Sequence, residues 1–329
     1  MNFAPIAIPT LCRYEHFKQC LTSLSECTYA QQTDVYIGLD YPLHEKHWDG
    51  YNKIIDFLNH FDSSKFKKLI VIKRPYNFGI GINGNGSLLF QEVIEKYKCI
   101  IFTEDDNIFS PNFLDYINQG LEIYKDHKDI LAICGYRHFY SIKYGNNTIY
   151  RQNVDFTGWG YATWLDRHKA ISNCNYKYYR KKLFSPTVWK KLIHNGNYRL
   201  SNFLSYTIPQ WDNCPTDNVY SVYAAINDMD VIMPSKVSLV RNMGTDGSGV
   251  NFQNISKDLK EKHQLQEIDT NKQFYYQGTG YEFYEENKKV HRNESYVRVS
   301  NIRMIARFIR YLLKLPFYYI SFKIKDKHK

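Results

Sequence analysis

The chain contains no run of about 18 apolar residues free of charge, so no segment is expected to cross a membrane outright. Its first residues, MNFAPIAIPT, carry no basic n-region and no long apolar h-region, which argues against a signal peptide. The seven cysteines (12, 20, 27, 99, 134, 174 and 214) form no C-x-x-C pair and no Cys/His cluster. An odd, scattered set without a framework points to reduced thiols and a cytoplasmic body. No internal repeat is present. No P-loop occurs, which removes one common phosphate cradle; the spacing G-x-G-x-x-G does occur, at Gly79, Gly81 and Gly84 within the 77–86 loop.

The net charge is +10 over 329 residues, but the folded-looking part carries little of it. Residues 301–329 hold eight Lys/Arg and one acid, so +7 of the excess sits in the last 29 residues. A protein that binds nucleic acid shows its charge on the folded body, so nucleic acid is not expected as a partner. Apolar residues make up 43%, enough for a sizeable core in one large domain.

The first half alternates apolar runs with helical patterns. Strands are expected at Ala4 to Pro9, Val35 to Leu39, Leu69 to Lys73, Cys99 to Thr103 and Ile130 to Cys134. Phe17, Leu21 and Leu24 fall on one face of a helix after the first strand. Ser110-Pro111 reads as a helix start, and a helix is expected from Ser87 to Tyr97. This alternation predicts an α/β fold with a doubly wound, mostly parallel sheet. Ligands bind such sheets outside the carboxyl ends of the strands. Asp40, the loop NFGIGINGNG (77–86) and the triplet Glu104-Asp105-Asp106 all fall at such ends. The second half is less regular, with helices expected near Thr187 to Ile193 and Asp217 to Ile226 and a strand at Val231 to Met233. The stretch 241–251 reads as a loop, and the chain from about residue 257 to 295 is polar.

Three adjacent carboxylates after an apolar strand repel one another unless a cation lies between them. A hard divalent ion, Mg²⁺ or Mn²⁺, takes few protein oxygens and completes its shell with phosphate and water. The triplet is therefore a candidate for holding a cation that bridges a diphosphate.

Five pieces occur in a telling order: PIAIPTLCRYEHFKQCLTSL (5–24), VYIGLD (35–40), the GIGINGN loop, FTEDD, and YRQNVDFTGWGYATW (150–164) with the later NMGTDG. Together they resemble nucleotide-sugar glycosyltransferases of the A-type (GT-A) fold. The pattern is most similar to the inverting N-acetylglucosaminyltransferase I-like group and bacterial relatives in surface-polysaccharide assembly, such as lipopolysaccharide or capsule. The resemblance covers residues 4 to 251. It implies a GT-A-like catalytic domain over 1–255, with a nucleotide-binding half (1–135) and an acceptor half (136–255). A polar segment (256–300) and a basic amphipathic tail (301–329) follow.

The resemblance implies a UDP-sugar donor, a Mn²⁺ or Mg²⁺ cofactor, and a glycan or lipid-linked acceptor. Arg13 would contact the nucleotide phosphate or base, and Asp40 the uracil or ribose. Asn83 or Asn85 would lie near the nucleotide. Glu104 and Asp105 would hold ribose and sugar hydroxyls, and Asp106 would bind the metal. Trp159 and Gly160, in the GWG stretch, would lie under the donor sugar and acceptor. The general base would be Asp217, which opens a helix, or Asp212, which carries the Trp-Asp dipeptide. Asn242, Gly244 and Asp246 belong to a loop that would close over the site.

In the tail, Arg303, Arg307, Arg310 and Lys314 share one stripe, and Ile302, Ile305, Ile309, Leu312 and Leu313 fill the rest, with Pro316 expected to break the helix. A basic amphipathic helix of this kind lies in an anionic membrane surface, here the inner face. Two other readings stand beside the transferase. A sugar-1-phosphate nucleotidyltransferase would need a glycine-rich basic loop after the first strand, where this chain reads PTLCRYEHF. A non-catalytic membrane-surface binding protein would not need the acidic triplet.

Overall fold

The computed structural model describes residues 3–138, 148–152, 156–183, 185–194, 216–249 and 256–277, with helical positions between 302 and 320. The first half is built from β1 (Ile6–Thr10), α1 (Tyr14–Ser25), β2 (Asp34–Leu39), α2 (Trp48–His60), β3 (Lys68–Lys73), α3 (Asn85–Tyr97) and β4 (Cys99–Phe102). Next come β5 (Asn107–Phe109), α4 (Phe113–Ile123), β6 (Ile130–Cys134), β7 (Ile149–Gln152) and β8 (Tyr161–Trp164). The remainder comprises α5 (Leu165–Ser172), α6 (Tyr176–Leu183), α7 (Pro186–His194), α8 (Thr216–Asn227), β9 (Asp230–Pro234), β10 (Val240–Asn242) and α9 (Lys257–Gln264).

Eight strands form one sheet in the order β3-β2-β1-β4-β8-β6-β9-β7. β1 pairs parallel with both β2 and β4, and β2–β3 and β6–β9 are parallel too. β8 runs antiparallel between β4 and β6, and β7 antiparallel to β9. The expected mostly parallel α/β sheet is present. β7 and β8 were not foreseen, because four residues are too few to show a period.

Side chains alternate across the sheet with the strand period of two. Ile6 and Ile8 face a layer that contains α1, α2 and α4, where Phe17, Leu21, Leu24 and Ile54 are buried. Ala7 faces the opposite layer, with Leu89, Phe90 and Val93 of α3 and Tyr220 to Ile226 of α8. Helices on both faces leave only the strand ends open. The chain turns from β1 toward β2 on one side and toward β4 on the other, so the crevice lies where β1 and β4 end.

Three sequence expectations change. Ser110-Pro111 is not the start of α4: Phe113 N–H closes a turn on Ser110 O at 3.0 Å, and the helix begins at Phe113. Part of the 241–251 loop is a strand, β10, which pairs antiparallel with β5. Pro316 does not stand outside helix as expected, since Pro316 and Phe317 are themselves helical positions. Proline's fixed φ suits the first turn of a helix, where its missing N–H has no partner to lose. Along the tail, Ile302, Leu313 and Phe317 are 80, 72 and 73% exposed.

The folded body also reaches beyond residue 255. Phe274 is buried against Tyr116, with ring centroids 4.8 Å apart, and Tyr276 stacks on the same ring at 5.5 Å. Phe274 N–H donates to Asp115 Oδ2 at 2.8 Å, and Gln119 Nε2 donates to Phe274 O at 2.7 Å. The polar stretch after 255 thus straps α4 onto the sheet. Phe274→Ala is expected to lower unfolding free energy by about 3 kcal/mol, the usual result of emptying a buried aromatic site. Urea unfolding followed by tyrosine and tryptophan fluorescence measures it; a loss under about 1 kcal/mol would mean that the strap contributes little.

Candidate active site

β1 ends at Thr10 and β4 at Phe102, and the segments that follow them meet. Thr10 Oγ1 donates to Asp105 Oδ2 at 2.7 Å. Arg13, in the turn between β1 and α1, forks across both acids. Its Nη1 donates to Asp106 Oδ2 at 2.7 Å, and its Nη2 pairs with Asp105 Oδ1. The acids are nearly buried, at 5 and 4% side-chain exposure, while Arg13 keeps 27%. Arg13 is therefore the most exposed side chain of the three.

A second segment reaches Asp106 from the other side. β5 pairs with β10 through Asn107 and Asn242. Asn242 Nδ2 donates to Asp106 Oδ1 at 2.8 Å and to Asn107 Oδ1 at 2.9 Å, and Met243 N–H donates to Asp106 O at 2.7 Å. Gly244 comes so close that a Cβ there would lie 2.0 Å from Asp106 Oδ2 and 3.3 Å from Arg13 Nη1. Only glycine fits. His16 Nε2, one turn into α1, lies 3.2 Å from Asp246 Oδ2 and fastens the far end of this loop. Thr10 and His16 were missed from sequence, though each lies within three residues of Arg13.

The electrostatics follow from this crowding. Burial lifts the Asp106 carboxyl above its ordinary range; the nearby Asp105 adds to the lift, and Arg13 opposes it. Glu104 is pushed well up, first by enclosure in the cleft walls and then by the negative charges of Asp106 and Asp217. As a whole residue, Glu104 is nevertheless exposed, unlike Asp105 and Asp106. Arg13 is held more firmly charged: Asp105 and Asp106 outweigh the opposing effect of burial.

The donor set at Asp106 consists of hard oxygens. Each carboxylate oxygen already accepts one hydrogen bond, and a carboxylate offers about four lone-pair positions, so one remains on each. Among the described residues, no group of three or more His, Cys, Asp or Glu side chains could hold a metal unaided. The set fits a hard divalent cation whose other ligands arrive as phosphate oxygens and water.

Across the cleft, Asp217 lies in the first turn of α8, near enough to Glu104 to raise it. Gly158 N–H donates to Asp217 Oδ1 at 2.8 Å, and a Cβ on Gly158 would come equally close to that oxygen. Trp159 is half-buried; Tyr136 meets it edge-on at 4.6 Å and His263 of α9 at 5.6 Å. Asp212, the other candidate base, lies outside the described residues.

Three expected ligand contacts prove to be structural. Asp40 is buried, and its carboxylate accepts from the N–H groups of Tyr41, Phe78 and Gly79 at 3.0, 2.9 and 2.9 Å and from Asn77 Nδ2 at 3.4 Å. Four donors saturate it, so it shapes the 77–79 loop. Asn85 opens α3 inside the core: it donates to Gly38 O at 2.6 Å and accepts from Arg74 Nε at 2.9 Å. Gly160 has φ +69, and a Cβ would lie 2.9 Å from Val240 Cγ2, so its smallness serves packing. Asn83 is exposed on the glycine loop.

A carboxyl raised on folding opposes the folded state once ionised. That cost is absent below the ordinary values of 3.8 for Asp and 4.5 for Glu, and it grows as pH rises. Arg13→Met removes the opposing charge and should destabilise the protein by about 3 kcal/mol at neutral pH. The deficit relative to wild type should shrink as pH falls toward 4. Paired denaturation curves at several pH values check this, and a pH-independent deficit would contradict it.

No protein-family model and no curated protein matches the chain. Among solved structures, it is similar to a mannosyltransferase from Pyrobaculum calidifontis in complex with GDP-Man and Mn²⁺, at 9% identity and TM-score 0.36. That match covers 51% of this chain and 46% of the other, less than half of the mannosyltransferase's own length. It is also similar to residues 1–349 of S. aureus TarS, at 9% identity and TM-score 0.41, covering 80% of this chain and 69% of that one. A third is a Bacillus anthracis protein assigned as a glucose-1-phosphate thymidylyltransferase, in complex with a sucrose, at 11% identity, TM-score 0.37 and 81 and 98% coverage.

Proposed function

We propose that this chain is an inverting glycosyltransferase that moves a sugar from a nucleotide-sugar, UDP-linked, to a glycan or lipid-linked acceptor in cell-surface polysaccharide synthesis. The observation that carries this reading is the cleft at the β1/β4 switch point. One wall presents Arg13 with Asp105 and Asp106. The other presents Asp217, anchored by Gly158 N–H, with Glu104 exposed near both.

The roles follow from that layout. Asp217 takes the proton of the acceptor hydroxyl as its oxygen attacks the anomeric carbon. The bond from that carbon to the diphosphate breaks, and the electron pair leaves with the nucleoside diphosphate. Arg13, the nearest fixed cation, stabilises the charge that develops there. Glu104 accepts hydrogen bonds from sugar or ribose hydroxyls, and Trp159 offers a half-open ring beside the acceptor path. Asp106 would hold a Mn²⁺ or Mg²⁺ ion, which when bound adds Lewis-acid charge stabilisation to the diphosphate. The exposed apolar positions of the tail helix, with the +7 charge of 301–329, suit an anionic lipid surface and would hold the enzyme at the inner membrane face, near a lipid-linked acceptor.

Calorimetric titration of UDP, GDP and CDP, each with and without Mn²⁺, tests the donor class; absence of binding by any of them would sink the reading. Asp217→Asn should lower turnover by about 10²- to 10⁴-fold while UDP binding with Mn²⁺ persists. Retained turnover would remove Asp217 as the base. Deleting residues 301–329 should release the protein from vesicles rich in anionic lipid and leave nucleotide affinity unchanged; continued co-sedimentation would argue against the tail as anchor.

A further inference from the structure

Arg13 occupies the position that a cation would take between Asp105 and Asp106. One guanidinium fork meets one oxygen of each acid, at 2.7 Å to Asp106 Oδ2 and in close contact with Asp105 Oδ1. The remaining oxygens accept from Thr10 Oγ1 at 2.7 Å and Asn242 Nδ2 at 2.8 Å. The Gly244 backbone closes the side near Asp106 Oδ2 and Arg13 Nη1. Arg13 is the most exposed of the three side chains, so a ligand that approaches the acids reaches it first. An approaching dication meets a guanidinium there, which repels it. An approaching diphosphate meets the same group and is attracted, and Arg can grip phosphate with its fork.

We propose that Arg13 makes cation binding conditional on the nucleotide: it guards the Asp105–Asp106 pair in the empty protein and releases Asp106 only when a diphosphate offers it a second anionic partner. This rests on the donor-binding role above and goes further, because it assigns an order. The dication enters with or after the diphosphate and not ahead of it. By linkage, the factor by which nucleotide tightens the cation equals the factor by which the cation tightens nucleotide. Arg13 then adds to the coupling that the diphosphate's own oxygens supply to the cation. A permanently structural Arg13 would add nothing, and its replacement would leave Mn²⁺ affinity for the nucleotide-free protein unchanged.

The test is Mn²⁺ retained by the full chain in equilibrium dialysis, with and without saturating UDP on both sides of the membrane, so that Mn²⁺ held by free UDP cancels. In the wild type, UDP should tighten Mn²⁺ by at least tenfold. In Arg13→Gln, Mn²⁺ alone should bind at least tenfold tighter than in the wild type, and the UDP effect should be at least threefold smaller. Arg13→Lys covers the case in which the glutamine variant does not fold. Its compact ammonium can neutralise one acid but cannot fork across two, so the UDP effect should fall by at least threefold while a charge is kept. Equal Mn²⁺ affinity with and without UDP in the wild type, or a full UDP effect in Arg13→Lys, would overturn the inference while leaving the donor-binding role intact. Failure of UDP, GDP and CDP to bind under any condition would remove both.

Discussion

Two carboxylates side by side in a nearly dry pocket cannot stand without a positive partner, and Arg13 is that partner. Much of the surrounding architecture positions this one contact. β1 and β4 run parallel as neighbours, so the turn that carries Arg13 and the turn that carries the acids leave the sheet together. Thr10 and Asn242 take the oxygens that the fork does not reach. Gly244 has no side chain because Asp106 leaves no room for one. Arg13 itself is kept at the edge of the pocket, the only orientation in which a structural counter-ion can also face a ligand.

The second half of the molecule serves the cleft differently. β8, inserted antiparallel between β4 and β6, carries the chain from Trp159 back along the sheet. The residues just before it, Thr157 to Gly160, are thereby set beside the start of α8, where Gly158 meets Asp217. Glu104 feels both sides: burial first, and then the charges of Asp106 and Asp217, lift its carboxyl above its ordinary range. Arg13 with Asp105 and Asp106 thus stands on one side, Asp217 on the other, and Glu104 between them.

The parallel half of the fold was legible because long alternating apolar runs and helical spacing leave a strong period, as in Val35 to Leu39 or Phe17, Leu21 and Leu24. Strand-end logic placed Glu104–Asp106 at the cleft, and the resemblance added Arg13 in the turn after the first strand. What sequence could not convey was short or long-range. β5, β7, β8 and β10 have three or four residues each, below the length at which a period of two is visible. Asp40 and Asn85 looked like ligand contacts because they sit at strand and helix ends, and only the three-dimensional hydrogen bonds reveal that their polar atoms are spent within the chain. Phe274 lay in a stretch too polar to mark as core, because a single buried aromatic among charged neighbours carries no pattern.

The strap formed by residues 257–277 has a temporal consequence. A chain that grows from its N-terminus acquires Arg13, Asp105 and Asp106 early, and the sheet strands that carry them are adjacent. Asn242, Gly244 and the Phe274 contact with α4 emerge more than 130 residues later. Until then the acids lack part of their hydrogen-bonded support, and α4 lacks one of its two coverings. The cleft can therefore be completed only after Phe274 has emerged, and a chain that stops short of it would display the acidic pair without that enclosure.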